Sequence, residues 1–541
     1  MTKVTKKHGL KANFVFNLIS QFLTLLIPLI TTPYLSRVLH EVGNGQISFC
    51  NSINSYFILF SNLGFAIYGQ REVARNQDDK EKKSIVFWEM FIVRLISTAI
   101  SLGVFFSFYY TVGFGEKYDF LLLLMSIQIV AVIFDIQFLY YGSEDFGSVA
   151  LRSIFLKISG LICIFVFVRT ENDVWVYVLC IALTTMSSNL IMWPTAFRYV
   201  KFVKIKSLKP WKHILPTIII FIPTVITTLF TVFDKTMIGL LSSTPDYDNG
   251  CYEQAYKINS VAQIVVTLAS SVMMPRNSHD YEMGNIDGMN QHVYLTSNYV
   301  WFVSLPLLAG FIVLSANFSD WFLGDGYTEV PLLLQIMAIR LVVSGFSVIF
   351  GDRFVVMKKE LFWTIAVGVG AASNILINYL MIPTYGAIGA AVATAITEVM
   401  ILVIMLVMTI IYKKEKISVK KIFFMSWKYI VAAGAMFGIM FLMQHFMHYS
   451  VWEFIVIGLV GAIAYLLVLL LLRDKFLFYL FGKIYGFLLR LHKKKNADNE
   501  VKETVVANTN EIQQDEIAKI DFTQENVKGE GEDYGPKNQN E

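Results

Sequence analysis

Charged residues are scarce in this chain. Only 16% of its 541 residues are Asp, Glu, Lys or Arg, whereas 55% are hydrophobic and 15% are aromatic. With a mean hydropathy of +0.56, the chain has too little polar side-chain surface to cover a soluble fold of this size. The composition therefore predicts an all-α, polytopic membrane protein, because helices satisfy their own backbone hydrogen bonds within a bilayer.

The motifs of several enzyme classes are missing. There is no G-x-x-x-x-G-K-[ST] loop for nucleoside triphosphates, no HExxH zinc motif and no GxSxG nucleophile motif. The four cysteines occur singly, without the CxxC spacing of a metal or redox site, and no aromatic-basic RNA motif accompanies the net charge of +4. We expect no enzymatic activity, no cofactor, no metal and no nucleic-acid partner.

Fourteen apolar runs approach the roughly 20 residues that a helix needs to cross a bilayer. Their centres lie near residues 25, 57, 97, 130, 159, 185, 228, 263, 304, 341, 371, 399, 434 and 462. Lys and Arg concentrate in alternate loops, such as QREVARNQDDKEKK and FRYVKFVKIKSLKPWKH, while opposite loops such as SSTPDYDNG and IPTYG have essentially none. By the positive-inside rule, this asymmetry predicts that both termini are cytoplasmic.

Weak internal repeats predict two lobes. IPLITTPYLSRV recurs as IPTVITTLFTVFDK, NGQISFCNSI as NGCYEQAYKI, and MSIQIVAVIF as MAIRLVVSGF, in the same order. Such repeats indicate two six-helix lobes with a cavity between them, residues 1–210 with helices 1–6 and residues 211–412 with helices 7–12. We expect helices 13 and 14 in residues 413–472, an amphipathic interfacial helix in residues 473–495, and a disordered acidic cytoplasmic tail in residues 496–541.

One segment, IPLITTPYLSRVLHEVGNGQISF, combines helix-breaking residues with a charge. Pro28 and Pro33 are tolerated in a membrane helix where neighbouring helices or cavity water satisfy the freed carbonyls, so they indicate a helix that lines a cavity. Arg37 lies near the far end of this helix, and a cation within the membrane is a functional hypothesis by default. We expect the chain to turn at Asn44-Gly45 into a second helix.

Basic residues in or beside the apolar runs are candidate substrate contacts. A charge at mid-span costs roughly 2.5 to 3.5 kcal/mol, and a row of cations between two lobes suits an anionic head group, whose phosphate oxygens match the guanidinium fork. Ranked from the strongest to the weakest argument for substrate binding, the candidates are Arg37, Arg94, Arg340, Lys235, Lys257, Lys157 and Lys428. The alternative role for each residue is to form an ion pair within the membrane or to donate a hydrogen bond to a backbone carbonyl. For Lys428, the simplest interpretation is that its side chain reaches to the membrane interface.

Three acids fall within the predicted spans. Asp135, Asp234 and Glu398 are candidates for coupling transport to an ion or proton gradient. Asp234 adjoins Lys235, so local charge neutralisation is the alternative there. Glu398 is the most isolated of the three, and because a buried carboxyl takes up a proton readily, it is the candidate for proton coupling.

Several stretches of the chain follow a known family pattern. The first is PYLSRVLHEVGNGQISFCNSINSYFILFSNLGFAIYGQREVARNQDDKEKKS, followed by FWEMFIVR; the others are FDKTMIG, NGCYEQAYKI and PRNS. They resemble the Wzx-type polysaccharide flippases of the multidrug/oligosaccharidyl-lipid/polysaccharide (MOP) exporter superfamily. The resemblance covers about residues 10–475. The chain departs from the family pattern at HEVGNGQ, where relatives more often have a Gly-Pro start and an aromatic residue after the second glycine.

The resemblance implies two six-helix bundles (MATE-like) followed by helices 13 and 14. It also implies alternating access that moves an undecaprenyl-diphosphate-linked oligosaccharide from the inner to the outer leaflet. The implied setting is the bacterial cytoplasmic membrane, in capsule or exopolysaccharide biosynthesis, where membrane lipids, a polysaccharide polymerase and glycosyltransferases would be partners.

Three alternatives remain open. A MATE-like exporter of drugs or cations would favour acidic cavity residues, whereas the predicted spans hold six bases and three acids. A membrane sugar polymerase or acyltransferase would show a long external loop or a catalytic acid/His cluster. A peptidoglycan-precursor flippase is chemically closest to the main hypothesis.

Overall fold

The computed structural model describes residues 10–412, 417–446, 451–483, 485, 486 and 489. Within these residues there is no β-strand, and sixteen α-helices lie between Leu10 and Leu471, with a further helical stretch after them. The all-α prediction is confirmed for this part of the chain. In chain order, the helices are α1 (Leu10–Asn62), α2 (Phe65–Arg75), α3 (Lys80–Val112), α4 (Glu116–Ile133), α5 (Gln137–Gly142), α6 (Phe146–Phe167), α7 (Val174–Leu190), α8 (Trp193–Ala196), α9 (Ile214–Leu241), α10 (Pro245–Glu282), α11 (Ile286–Leu323), α12 (Val330–Val356), α13 (Glu360–Ile411), α14 (Val419–Phe424), α15 (Trp427–Phe446) and α16 (Val451–Leu471).

Ten helical segments of the described chain are long and apolar enough to cross a membrane. Each of the fourteen predicted centres falls inside a helix, but those near 25 and 57 share α1, and those near 371 and 399 share α13. These two helices have 53 and 52 residues, so each would be about 80 Å long if straight. A bilayer core is only roughly 30 Å thick.

Both long helices are broken near their middle. The break lies at His40 in α1 (φ 53°, ψ −176°) and at Gly386 in α13 (φ 52°, ψ −130°). Gly386 adopts this region without a Cβ clash, whereas a side chain at His40 is strained there. The carbonyls around His40 are satisfied by the Asn44 amide, whose Nδ2 donates to the oxygen of His40 at 2.8 Å and to that of Leu35 at 3.1 Å.

The expected turn at Asn44-Gly45 is wrong. Both residues are helical, and the chain breaks at His40 instead. Asn-Gly indicates a turn when its backbone must adopt positive φ. Here the Asn44 side chain hydrogen-bonds to backbone carbonyls, and Gly45, which has no side chain, allows close contact with another helix.

The two Asn-Gly repeats lie where α1 crosses α10. A Cβ added to Gly45 would lie 1.7 Å from the carbonyl oxygen of Asp246, and a Cβ added to Gly250 would lie 2.0 Å from that of Glu41. The contacts are reciprocal, and small residues allow such close backbone approach between membrane helices. We call Glu41, Gly45, Asp246 and Gly250 the glycine crossing.

Further contacts join the helix ends around the glycine crossing. The Asn44 amide donates to Tyr327 Oη at 3.1 Å, just before α12, and Lys117 Nζ at the start of α4 lies 3.0 Å from Asp246 Oδ2. Gly386 packs against Asp248, since an added Cβ would lie 2.4 Å from its Oδ2. We call this end of the helices, which holds both breaks, the kink end.

Helix packing places two groups of polar side chains inside the bundle. In the first half, α1 packs against α3, α4 and α6, and α7 packs against α4 and α6. In the second half, α12 packs against α10, α11 and α13, and α9 packs against α13. The buried positions of these helices are largely Leu, Ile, Val, Phe, Ala and Met, so each charged residue among them requires a partner or a polar cavity.

A second compact unit begins at Leu470. Its residues 475–483 are helical, and Asp474 Oδ1 accepts a hydrogen bond from the Leu477 amide at 2.9 Å, as a helix cap does. The predicted interfacial helix at 473–495 is thus described only in part. The predicted tail at 496–541 lies outside the described residues.

Candidate functional site

Three cations and two carboxylates gather on α9, α10, α12 and α13. We call them the second-half charges: Lys235, Glu253, Lys257, Arg340 and Glu398. Lys235 Nζ lies 2.5 Å from Glu253 Oε2, and Lys257 Nζ lies 3.3 Å from Glu253 Oε1. One carboxylate therefore serves both lysines, one of them from the next turn of its own helix.

The remaining two second-half charges form their own pair. Arg340 Nε donates to Glu398 Oε1 at 3.0 Å, and their side chains are 14% and 7% exposed. The Tyr256 ring connects the two pairs, because Lys235 Nζ lies 4.8 Å and Arg340 Cζ lies 5.5 Å from its centroid. Glu398, which looks isolated in the sequence, is thus held by a guanidinium.

Sequence reasoning missed Glu253. The residue lies near the start of α10, where the polar stretch NGCYEQAYKI hides its depth in the bundle. Its spacing of four residues from Lys257 was the available signal, since acid and base at that spacing share a helix face. The partnership with Lys235 on α9 is a tertiary contact that no local pattern indicates.

Asp234 has a different environment from its neighbour Lys235. It is 3% exposed and accepts hydrogen bonds from Tyr252 Oη at 2.5 Å, Asn378 Nδ2 at 2.6 Å and Thr394 Oγ1 at 2.7 Å. These donors are neutral, while Lys235 pairs with Glu253. The structure therefore places Asp234 in a polar network of its own, rather than in the local neutralisation that the sequence offered as the alternative.

In the first half, Arg94 and Asp135 form a looser pair. Arg94 Nη1 lies 3.7 Å from Asp135 Oδ2, and the guanidinium packs against Phe65 and Phe138, with its Cζ 5.0 Å and 5.6 Å from their ring centroids. Arg94 is 2% exposed. Its Nε and Nη1 have no hydrogen-bond acceptor among the described residues.

Two adjoining cavities flank this pair and share Asp135 and Gln137. One, of about 450 Å³, lies among α4, α6 and α7 and is lined by Arg152 and Lys157; the other, of about 560 Å³, is lined by Arg94. We call Arg94, Asp135, Arg152 and Lys157 the first-half charges. Sequence reasoning missed Arg152 because it precedes the apolar run, although α6 begins earlier, after the Asp145 cap.

The predicted single row of cations divides into these two groups, and two candidates lie outside both. Arg37 is exposed at the kink end, where Nη2 donates to the carbonyl of Trp321 and the side-chain stem packs beside Gly324. Arg37 and Lys235 lie on the two related repeat segments, but Arg37 is not among the contacts of Lys235, which are Glu253 and Tyr256. Lys428 Nζ lies 5.8 Å from the ring centroid of Trp427.

The kink end also holds a carboxyl with a shifted pKa. Burial raises the pKa of Glu329, which immediately precedes α12, and the nearby Asp248 carboxylate adds to the rise. Glu329 therefore holds its proton to a higher pH than an exposed glutamate does.

An apolar groove runs along the outside of the second half. It has a volume of about 690 Å³ and lies between α10, α11, α15 and α16, with Leu29 of α1 at one side. Its wall includes Val265, Phe311, Leu314 and Met440. Such a lining suits a hydrocarbon chain and offers nothing to a charged group.

Comparisons with known proteins agree with this architecture. A sequence model described as polysaccharide biosynthesis protein matches residues 10–280. The putative O-antigen transporter of Escherichia coli K12 is 23% identical over 414 residues, which are 74% of this chain and 97% of that protein. The probable low-salt glycan biosynthesis flippase Agl15 of Haloferax volcanii is 22% identical over 171 residues, 31% of this chain and 35% of that protein.

Solved structures share the fold at low sequence identity. The lipid II flippase MurJ in an inward closed conformation superposes with a TM-score of 0.69 at 17% identity, covering 85% of this chain and 99% of that one. An inward-facing multidrug resistance MATE transporter of the MOP superfamily gives a TM-score of 0.55 at 12% identity, covering 72% and 97%. The chain is thus a multi-pass membrane protein with a MOP-like fold.

The family match spans half of the chain and includes the glycine crossing, Arg94 and most of the motif-bearing stretches. It confirms the resemblance to Wzx-type flippases that those stretches indicated. The chain belongs to the polysaccharide biosynthesis protein family.

Proposed function

We propose that the protein is a flippase of the bacterial cytoplasmic membrane that moves undecaprenyl-diphosphate-linked oligosaccharide repeat units to the outer leaflet for capsule or exopolysaccharide synthesis. The observation that carries the proposal is the presence of two groups of cationic side chains, the first-half charges and the second-half charges, inside an apolar helical bundle. A diphosphate crossing a low-dielectric region needs compensating charge, since an unpaired ion there costs several kcal/mol. The Escherichia coli relative named as a putative O-antigen transporter supports the same substrate class.

The second-half charges are the proposed diphosphate site. Lys257 is the most exposed cation of the set, at 32%, and Lys235 and Arg340 both lie close to the Tyr256 ring. Three cations against two carboxylates leave a surplus of one positive charge. An incoming diphosphate would compete with Glu253 for the two lysines, so binding and release both remain feasible. Arg37, at the kink end, would contact the substrate as it leaves.

Alternating access is the proposed mechanism, with residues 1–210 and 211–412 as the two moving lobes. Fourteen crossings follow if α1 and α13 each cross twice around His40 and Gly386. In this conformation, the glycine crossing holds α1 against α10 and so closes the kink end. The basic loops at 76–83 and 198–213 favour a cytoplasmic location for the opposite end and for both termini.

For coupling to an ion or proton gradient, Asp234 is the leading candidate. Its carboxylate is surrounded by neutral donors, with Asn374 Oδ1 accepting from Asn378 Nδ2 at 3.0 Å in the same network, so that a cation could enter without displacing an internal counter-ion. Glu398 is held by Arg340 and Asp135 by Arg94. In proteoliposomes under an imposed proton or sodium gradient, Asp234→Asn should lower uphill transport and leave downhill exchange intact. An unaffected uphill rate would refute this role, and Glu398→Gln then tests the other acid.

The function is tested by deleting the gene in a strain without other flippases and identifying the lipid-linked oligosaccharide that accumulates on the inner leaflet. We expect a diphosphate-linked repeat unit, and polymer export restored by the wild-type gene. Arg37→Ala, Arg94→Ala and Arg340→Ala, at verified membrane levels, should each impair export. Accumulation of the peptidoglycan precursor would identify the closest alternative, and drug sensitivity without lipid accumulation would identify an exporter.

A further inference from the structure

The first-half charges are unbalanced. The two adjoining cavities are lined by three cations, Arg94, Arg152 and Lys157, and by a single carboxylate, Asp135. That carboxylate is 26% exposed and 3.7 Å from Arg94. The lining of the cavities therefore holds two more cations than carboxylates, whereas the second-half charges hold one more.

Two of these cations, Arg94 and Arg152, have buried N–H donors without a hydrogen-bond acceptor among the described residues. The Nε atom of Arg152, like Nε and Nη1 of Arg94, is buried without a hydrogen-bond acceptor among the described residues. The Nη1 atom of Arg152 contacts the sulfur of Met192, which is a weak acceptor. Buried guanidinium donors are costly unless paired, so an acceptor of negative charge fits this position.

The wall of the cavity among α4, α6 and α7 is suited to a sugar. Besides its charges, it presents side-chain hydroxyls and amides from all three helices: Gln128, Ser153, Thr184, Thr185, Ser188 and Asn189. Its volume of about 450 Å³ lies within the usual range for a small-molecule site. A diphosphate offers acceptors only, whereas sugar hydroxyls both donate and accept and so match such a lining.

We propose that this cavity is the subsite for an acidic sugar of the oligosaccharide, with Arg152 and Lys157 contacting its carboxylate. The inference rests on the proposed flippase function and deepens it, because it assigns the anionic sugar to the first half and the diphosphate to the second. Arg152 and Lys157 are both on α6 and both line this cavity, so each can contact the carboxylate of a sugar bound there. The guanidinium fork provides the bidentate match.

The test uses the full-length protein in proteoliposomes with two synthetic undecaprenyl-diphosphate disaccharides. The probes differ only in their terminal sugar, which is glucuronic acid in one and glucose in the other. We expect the wild type to favour the acidic probe by about tenfold in affinity, the effect of one charge-assisted hydrogen bond at a partly exposed site. Arg152→Gln with Lys157→Gln should abolish that preference and leave the neutral probe unchanged.

Control variants separate the subsite from folding and from the diphosphate site. Arg152→Lys and Lys157→Arg keep the charge and should keep the preference, whereas Lys257→Gln should weaken both probes equally. Equal affinity of the wild type for the two probes would overturn the subsite. So would an equal loss for both probes in the double variant, because the cations would then bind the diphosphate. If the wild type binds neither probe, the flippase function itself fails.

Discussion

The two halves of the molecule place similar numbers of cations in the bundle but pair them differently. In the second half, Glu253 and Glu398 hold their cations at 2.5 to 3.3 Å. Among the first-half charges, Arg94 lies 3.7 Å from Asp135, and Arg94 and Arg152 retain donors without acceptors in the described chain. The number of intramembrane cations therefore says little about function by itself. The informative quantity is how many of them already have a carboxylate.

The largest expected difference between the halves is in stability. Arg340→Met should destabilise the purified protein by about 3 kcal/mol, because it leaves Glu398 buried and unpaired. Arg94→Met should cost far less, since Asp135 is 26% exposed and the lost guanidinium had orphaned donors. Thermal unfolding in detergent measures both, and Arg340→Met with Glu398→Gln should recover most of the loss. Equal effects of the two single variants would remove the distinction between the halves.

The glycine crossing, where the halves meet, should tolerate a methyl group poorly. Gly45→Ala or Gly250→Ala would place a Cβ within about 2 Å of a backbone carbonyl, so α1 and α10 must move apart. We expect at least a tenfold fall in export, equivalent to about 1.4 kcal/mol, together with easier labelling of a cysteine introduced at the kink end. Gly103→Ala and Gly310→Ala are matched controls, because an added Cβ meets nothing within 4 Å. Loss of export in the controls as well would mean that helix glycines are generally needed.

Glu253→Gln should make the second half resemble the first. The substitution frees Lys235 and Lys257 from their carboxylate. It raises the surplus of positive charge among the second-half charges from one to two. We expect severalfold tighter binding of the diphosphate-linked probe, on the scale of one ion pair, with slower release. Binding and turnover measured on the same proteoliposomes distinguish the two effects. Weaker binding would indicate that Glu253 orients the lysines rather than competing for them.

The smallest effect is expected outside both charge groups. Lys428→Gln removes a cation that lies beside Trp427 near the start of α15 and belongs to neither cavity. Export and unfolding temperature should stay within experimental error of the wild type, since the half-buried Lys428 lines neither cavity and changes away from buried charge networks usually alter stability by less than about 0.5 kcal/mol. A clear export defect would extend the substrate path to α15.

Much of the fold could be predicted because hydropathy is a local property. Each predicted span centre lies in a helix, as the length of apolar sequence required. The break at His40 could not be predicted, because its strain is compensated by the Asn44 side chain and by packing. The predicted turn at Asn44-Gly45 was wrong because glycine occurs at close contacts between helices as well as in turns.

The site was predictable in its residue types but not in its pairing. Arg94, Lys235 and Arg340 stand out as cations in apolar runs, and each lies at an internal cluster or cavity. Glu253 and Arg152 were missed because their depth depends on where α10 and α6 begin and on contacts from distant helices. Ion pairing between α9 and α10, or between α12 and α13, is set by tertiary packing and leaves no periodic trace.

The reciprocal contacts between α1 and α10 also have a kinetic consequence. Both glycines lie against carbonyls of the same two helices, one helical turn apart, so we expect the two contacts to be released together. Separation of these helices would then be a concerted event with one barrier, rather than a gradual peeling from one side. Single-molecule distance measurements across this pair should accordingly show two discrete levels and abrupt jumps between them.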